Sequence, residues 1–415
     1  TIKPVETIKP VETIKPVETI KPVDNKKLTF IDLFCGIGGF HLALTSNNCI
    51  CNLACDIDRS CREVYRENFK MNVEPDVKKL DPTKMEDIDI ICGGFPCQAF
   101  SNAGKKNTFK DDRGLLFDEI IRIAKVKKPK FMFLENVKHI LKVGKGEVIK
   151  YIRQSIMDSG YHLQIFQISP HEYGIPQQRE RVFFVCIRND IYNGTDIVLP
   201  PKIIDLQLQD FLEKPHDIDP KYFINGDLLK CLTAWDEIIK QFEVGEKISP
   251  CIMINEAYNN HTQDEYDCYA KWRKDYITKN KPLISKYQSQ FDIWYEKYKD
   301  ILKKREIYGK LEWQVGKIKP NDSIFNYFIQ IRQSGIRVRA AKYFPTLVAI
   351  AQIPIYGKEK RYITPKECAR LQSFPDDFKM PDNDRHSYKQ FGNAVNVHNV
   401  STIVKATFNH YGINN

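Results

Sequence analysis

Leu28-Thr29-Phe30-Ile31-Asp32-Leu33-Phe34, running into Cys35-Gly36-Ile37-Gly38-Gly39-Phe40, is the stretch that decides the fold. Its first half is a β-rich apolar run and its second half a glycine turn, after which His41 to Leu44 reads as helix. Strand, glycine turn and helix in that order bring backbone N–H groups at a helix start up to a nucleotide-like ligand. Alone the pattern is ambiguous, because glycines also serve ordinary tight turns. Working outward, Cys49 to Cys55 reads as a second strand ending in Asp56-Ile57-Asp58. That places an acid about 20 residues past the glycines, where it suits a ribose hydroxyl pair. Arg59 to Phe69 reads as a helix leading to the turn Glu74-Pro75-Asp76-Val77.

The rhythm continues. Ile88 to Cys92 is an apolar run that reads as a buried strand, and the chain then breaks into Gly93-Gly94-Phe95-Pro96-Cys97-Gln98-Ala99-Phe100-Ser101. An open α/β sheet keeps its chemistry at such strand ends, and a thiol held there by a proline is a candidate nucleophile. The bland alternative is a small buried hydrophobe. Residues 102–114 form a polar, basic loop, Leu115 to Val126 a helix, and Phe131 to Leu134 a fourth buried strand ending in Glu135-Asn136-Val137. A carboxylate there would face the same crevice as the thiol. A helix over 146–158 precedes two strands, Gln164 to Ser169 and Arg181 to Ile187, around the loop Tyr173 to Glu180. Alternating strands and helices predict an α/β fold with a doubly wound sheet.

Composition narrows the class. The chain has 415 residues, 42% hydrophobic and 28% charged, with a net charge of +10. The length suggests two to three domains, and the charge suits a polyanion only as non-specific attraction. No run is long enough to span a bilayer, and no secretory signal is visible. Twelve cysteines without small-scaffold spacing suggest reduced thiols. Cys49, Cys51, Cys55 and Cys61 cluster, but no C-x-x-C pair occurs and the segment fits a strand entering a helix, so no metal is expected. Residues 1–24 are four copies of a hexapeptide with proline in each, which predicts a disordered tail. Beyond Pro200 the rhythm changes. Residues 261–320 interleave Lys and Arg with Trp272, Tyr276, Tyr287, Phe291, Trp294 and Trp313, which reads either as helices with a buried aromatic face or as a nucleic-acid contact. Arg337, Arg339 and Lys342 precede a strand-like run, Tyr343 to Leu347. Thr364-Pro365-Lys366-Glu367 has the form of a helix start. Gly392-Asn393 precedes a last helix.

Together these pieces resemble, in order, the bacterial-type DNA (cytosine-5)-methyltransferases. Asp32 to Gly39 is similar to the family's first cofactor motif, with Cys35 where alanine is commoner. Asp56 stands where glutamate usually meets the ribose, Ile57 where a tryptophan often covers the adenine, and Asp76 at the adenine amino group. Pro96-Cys97-Gln98 resembles the nucleophile motif, Glu135-Asn136-Val137 the second catalytic motif, and Gln177 to Arg181 the paired-arginine motif. Arg361 to Pro375 is similar to the motif that supports the recognition region, and Gln390 to Val395 to the motif that returns to the cofactor. Thr346-Leu347 looks like the recognition region's recurrent pair.

The resemblance implies a Rossmann-like, S-adenosyl-L-methionine-dependent sheet with a second, smaller target-recognition domain. It implies Cys97, Glu135, Arg179 and Arg181 as catalytic residues. Phe34, Gly36, Gly38, Gly39, Asp56, Ile57, Asp76, Val77, Pro96, Asn393 and Val395 would hold the cofactor, with no metal. Gln98, Ser101, Arg337, Arg339 and Thr346 would meet DNA. The expected division is a repetitive tail over 1–25, a catalytic domain over 26–195, a recognition domain over 196–380 and a returning segment over 381–415. The expected activity is that of EC 2.1.1.37, methylating carbon 5 of cytosine in a specific double-stranded DNA site after base flipping. The expected setting is the bacterial cytoplasm and nucleoid, as a monomer, with a cognate restriction endonuclease as functional partner. Two rivals are an RNA (tRNA) cytosine-5 methyltransferase, against which the basic insert argues, and a non-catalytic DNA-binding regulator, which would have lost Cys97 or Glu135.

Overall fold

The computed structural model describes residues 27–96, 115–203, 205–248, 251–258, 266–349 and 352–413. The repeats of residues 1–24, Cys97, Gln98 and Ser101 lie outside the described residues. A seven-stranded sheet contains β1 (Thr29–Leu33), β2 (Ile50–Cys55), β3 (Val73–Glu74), β4 (Ile90–Gly94), β5 (Phe131–Val137), β6 (Tyr161–Ile168) and β7 (Arg181–Arg188). Their spatial order is β3-β2-β1-β4-β5-β7-β6. The first five are parallel, and β7 runs antiparallel to both β5 and β6. The chain winds outward from β1 in one direction through β2 and β3, then in the other from β4. The crevice for a ligand therefore lies at the carboxyl ends of β1 and β4.

Side-chain alternation builds the layers. Phe30 lies on one face of the sheet with Phe40, Phe131, Val400, Val404 and Phe408. Ile31 lies on the other with Ile91, Phe117, Ile120, Ile152 and Phe184. Helices α1 (Gly39–Thr45), α2 (Arg59–Phe69), α3 (Leu115–Lys127) and α4 (Glu147–Asp158) connect the strands. The last helix, α11 (Val397–His410), returns from the far end of the chain to lie against α1. The strand β4 runs on through Gly93 and Gly94, where the sequence suggested a break. A Cβ on Gly93 would stand 2.1 Å from the Leu33 carbonyl oxygen, so only glycine lets β1 and β4 approach this closely.

A second sheet has the order β13-β12-β10-β11-β9-β8, from β8 (Ile252–Met253), β9 (Lys310–Gln314), β10 (Phe328–Arg332), β11 (Gly335–Arg339), β12 (Ile355–Tyr356) and β13 (Arg361–Tyr362). Helices α5 (Gly226–Ile239), α6 (Ile254–Tyr258), α7 (Lys271–Lys286) and α8 (Gln288–Lys304) belong to this part of the chain. Their apolar residues share a core with the sheet that includes Trp235, Phe291, Trp294, Leu311, Ile329 and Val338. Of the two readings of the aromatic insert, burial wins for Tyr287, Phe291, Trp294 and Trp313, while Trp272 stays 56% exposed. The run Tyr343 to Leu347 is not a strand. Phe344 makes a single bridge to Gln177, and Pro345 has no N–H to extend a ladder.

A further cluster joins Ile37 and Val64 of the first sheet's surroundings to Phe344, Leu347, Phe374 and Phe391. Here α9 (Pro365–Leu371) starts at a capping box in which Thr364 and Glu367 satisfy each other's backbone N–H. Arg361 donates to both oxygens of Glu367 at 2.9 and 2.8 Å with both side chains fully buried, a bidentate pair that fixes β13 against α9. Helix α10 (Asp384–Asn393) then leads to Val395.

Candidate active site

The glycine turn after β1 is shaped by backbone that few residues adopt. Phe34, Gly36 and Gly38 have φ of 58°, 53° and 92°. Phe34 is a bulky residue in the left-handed region, a strain typical of ligand sites. A Cβ on Gly38 would meet the Phe69 ring at 2.2 Å, and one on Gly39 would meet Val395 Cγ1 at 2.7 Å. The turn is thus clamped between α2 and the returning C-terminal segment. A Cβ on Gly36 would meet nothing within 4 Å, so this side of the turn is open.

Asp56 closes the turn from β2. Its two oxygens accept from Gly36 N and Asp58 N, each at 2.8 Å. Burial raises its carboxyl above the ordinary range, and those two hydrogen bonds oppose the rise. Each oxygen keeps a second lone pair for a hydroxyl donor. Beside it Ile57 is 82% exposed, an unusual setting for a large aliphatic side chain on a strand end. Asp76 accepts from Lys78 N at 3.0 Å and so caps the short turn that buries Val77, whose carbonyl takes Arg122 Nη2 at 3.2 Å. Asn393 is exposed at the end of α10, and Val395 is buried against Gly39.

The second half of the site rises from β4, β5 and β7. In the register of β4 and β5, Gly94 stands opposite Glu135, and a Cβ on Gly94 would lie 3.2 Å from Glu135 Oε2. Glu135 therefore covers the strand end that leads through exposed Pro96 to Cys97. In the antiparallel pair β5–β7, Val137 faces Arg181, so Glu135 and Arg181 are diagonal neighbours on one face. Arg181 Nε meets Glu135 Oε1 at 2.9 Å with both side chains mostly buried. Burial pushes the Glu135 carboxyl up, and Arg181 and then Arg179 pull it back only in part. The net direction is upward, so this acid holds a proton more readily than an exposed glutamate.

Arg179 does something different. Its buried guanidinium donates to the carbonyls of Leu347, Gly392 and Ala394 at 2.7, 2.9 and 2.8 Å. It ties the paired-arginine loop to the Thr346-Leu347 segment and to the returning segment at once. Asn136, to which sequence reading gave no role, donates from Nδ2 to the Phe95 carbonyl at 2.8 Å and accepts Val137 N on Oδ1 at 2.9 Å. It fixes the backbone two residues before Cys97. Its only signal was its place beside Glu135. Gln178 is the other unassigned organiser: it accepts Arg339 Nη2 at 2.8 Å on its side chain and Thr346 Oγ1 at 2.5 Å on its carbonyl. Arg339 and Thr346 are thereby held at the paired-arginine loop. Arg337 is not with them, since its Nε is taken by Glu312 on β9 at 2.5 Å.

Burial pushes Cys49, Cys51, Cys55 and Cys61 up to about 12, the environment of inert thiols. Among the described residues no group of three or more His, Cys, Asp or Glu could hold a metal ion, and no helix is long and apolar enough to cross a membrane.

The family profile described as C-5 cytosine-specific DNA methylase matches residues 28–409. The type II methyltransferase M.HhaI of Haemophilus parahaemolyticus is 28% identical over 368 residues, covering 89% of this chain and 90% of its own. The type II methyltransferase M1.ScrFI of Lactococcus lactis subsp. cremoris is 30% identical over 382 residues, covering 91% and 77%. Among solved structures, a putative DNA modification methyltransferase encoded within an Escherichia coli prophage superposes with a TM-score of 0.56 at 22% identity, over 92% of this chain and 99% of its own.

Proposed function

The chain belongs to the C-5 cytosine-specific DNA methylase family, and from that premise we propose that it methylates one cytosine within a specific duplex sequence through a covalent Cys97 adduct. Its enzyme class is DNA (cytosine-5-)-methyltransferase. The observation that carries the finer reading is the buried Glu135–Arg181 pair, set over the strand end that leads to Cys97.

The open turn at Gly36, the lone pairs of Asp56 and the exposed face of Ile57 fit the ribose and adenine of S-adenosyl-L-methionine. Phe34, Gly36, Gly38, Gly39, Asp56, Ile57, Asp76, Val77, Pro96, Asn393 and Val395 would hold it. When bound, it supplies an electrophilic methyl group. Cytosine carbon 5 is a poor nucleophile, so Cys97 thiolate adds at carbon 6 and leaves the electron pair at carbon 5 as an enamine. Glu135, kept ready to hold a proton by its burial, stabilises the charge that develops at nitrogen 3. Arg181 orients Glu135 and reaches the base carbonyl. After methylation, loss of the carbon-5 proton lets the sulfur–carbon 6 bond break and frees Cys97. The ring atoms concerned lie inside the duplex stack, so the base must be extruded to reach this site.

We assign catalysis to residues 26–195 with 381–415, and target recognition to 196–380, where Arg337, Arg339 and Thr346 would meet DNA together with Gln98 and Ser101. The type II relatives support protection from a cognate restriction endonuclease as the biological role. Cys97→Ser should abolish methylation and covalent capture by duplex DNA containing 5-fluorocytosine, with cofactor binding unchanged. Full turnover in that variant would sink the mechanism. Competing tRNA against duplex DNA in a labelled-methyl assay tests the substrate: methylation confined to tRNA would favour the RNA enzyme.

A further inference from the structure

Helix α7 differs from its neighbour in how its charges are spent. Lys297 and Lys299 on α8 meet Glu237 and Glu296 at 2.9 and 2.5 Å, and Lys304 meets Asp227. The sequence of α7, KWRKDYITKNKPLISK, has six basic residues and one acid, Asp275. Arg273, Lys274 and Lys286 have carboxylate partners in Glu256, Asp267, Glu243 and Glu246. Lys271, Lys279 and Lys281 have none among the described residues, and all three are exposed. Helical spacing explains the arrangement. Ile277, Asn280, Leu283 and Ile284 form the inward stripe, which leaves Lys271 central on the outward half beside Asp275, with Lys279 toward one edge and Lys281 at the other, spread along about 15 Å of helix. With them stands Trp272, exposed on one side and edge-on to Tyr276 at 6.3 Å. Lysines without a carboxylate partner among the described residues, Lys279 over the Tyr276 ring at 5.8 Å, next to an exposed indole complement a polyanion with apolar sugar edges.

Position adds the second argument. Buried Asn280 accepts Met253 N at 2.7 Å and donates to the Cys251 carbonyl at 2.8 Å, which fastens α7 along edge strand β8. From β8 the sheet runs through β9 to β11, whose Arg339 meets Gln178 of the paired-arginine loop. Two strand spacings and one helix-to-sheet layer put α7 roughly 20 Å from β11. That is about six base pairs along a duplex.

We propose that the outward face of α7, with Lys271, Trp272, Lys279 and Lys281, is a second DNA contact that grips backbone phosphates on one flank of the methylated site. The proposal rests on duplex DNA being the substrate. Its test uses the full chain and two duplexes containing the target sequence. One ends about four base pairs either side of the target cytosine, and the other is longer by about 10 base pairs, one helical turn, on each side. Affinity is measured against salt concentration for the wild type and for the triple variant Lys271→Ala, Lys279→Ala, Lys281→Ala, with fold checked by circular dichroism and cofactor binding. On the long duplex the salt slope of log affinity should become shallower by about 2.7 in the variant, 0.9 for each phosphate released. On the short duplex affinity and kcat should match the wild type. Trp272→Ala should weaken binding to the long duplex without changing the slope. An unchanged slope on the long duplex would overturn the proposal and leave this face to a protein partner. An equal loss on both duplexes would also overturn it. Absence of methylation on either duplex by the wild type would instead strike at the substrate reading itself.

Discussion

Asp32 is the residue whose burial is hardest to reconcile with an ionised carboxyl. It is fully buried in β1 beneath the glycine turn, and neither carboxyl oxygen has a hydrogen-bond partner. Burial drives its pKa well above the usual carboxylate value, and the Asp56 carboxylate adds to the rise. The folded state therefore binds this proton over a pH range in which the unfolded chain has already lost it. Stability must fall as pH rises from the ordinary Asp value through the raised one. Asp32→Asn removes the titration, so the melting temperature of the wild type should drop relative to that of the variant as pH rises from the ordinary Asp value toward the raised one. A difference between the two proteins that stays constant across that range would show that Asp32 is not the protonated group. At this scale legibility was uneven. Glu135 and Arg181 could be matched to a motif, and they do stand together. The carbonyl partners of Arg179 lie 168 to 215 residues away, and a carbonyl leaves no mark in the sequence.

Strands and turns were read best where burial repeats with a period, and worst where packing overrides propensity. The core strands β1, β4 and β5 are apolar runs, legible because parallel strands are covered on both faces. The extension of β4 through Gly93 and Gly94 was not, since glycine usually weakens a strand and only contact with Leu33 reveals the need for it. Helix α5 was missed altogether, because its apolar residues read as a run without a clear boundary until they are seen to share a core with β9 and β11. The junction of β4 and β5 supports a prediction of its own. Asn136 is the buried strut between them, and Asn136→Ala would leave the Phe95 carbonyl unsatisfied at a cost of about 1–3 kcal/mol. Under our mechanism kcat should fall with the lost placement of Cys97, while cofactor affinity, set by β1 and β2, stays within about twofold, a free-energy change of about 0.4 kcal/mol. Asn136→Asp should be worse than Ala at neutral pH, because it sets an oxygen against that carbonyl. Wild-type kcat in both variants would mean that the strut does not position the nucleophile.

Across the whole molecule, apolar burial falls into separate cores. One lies within residues 224–355, around Trp235 and Phe291. Two others flank the seven-stranded sheet, one of them completed by Val400, Val404 and Phe408 from the end of the chain. The cluster of Ile37, Phe344, Phe374 and Phe391 bridges them, and Arg179 pins it to the paired-arginine loop. Such a plan makes the first sheet and the returning segment one unit of ligand response, although hundreds of residues separate them in sequence. A cofactor that binds only the folded glycine turn stabilises whatever unfolds with that turn, by about 2.7 kcal/mol at a hundred times its dissociation constant. Hydrogen exchange with saturating S-adenosyl-L-methionine should therefore slow the amides of β1, β4 and α11 together, α11 included because Val395 packs on Gly39 just ahead of it. The amides of β9, β11 and α8 should slow far less, since their core opens without breaking the turn. Equal slowing in both sets would mean that the bridging cluster welds the cores into a single cooperative unit, and that catalysis and recognition are not separately folded parts. No slowing in α11 would break the other half of the assignment, because the C-terminal segment would then contribute nothing to the proposed cofactor site, although Val395 packs on Gly39.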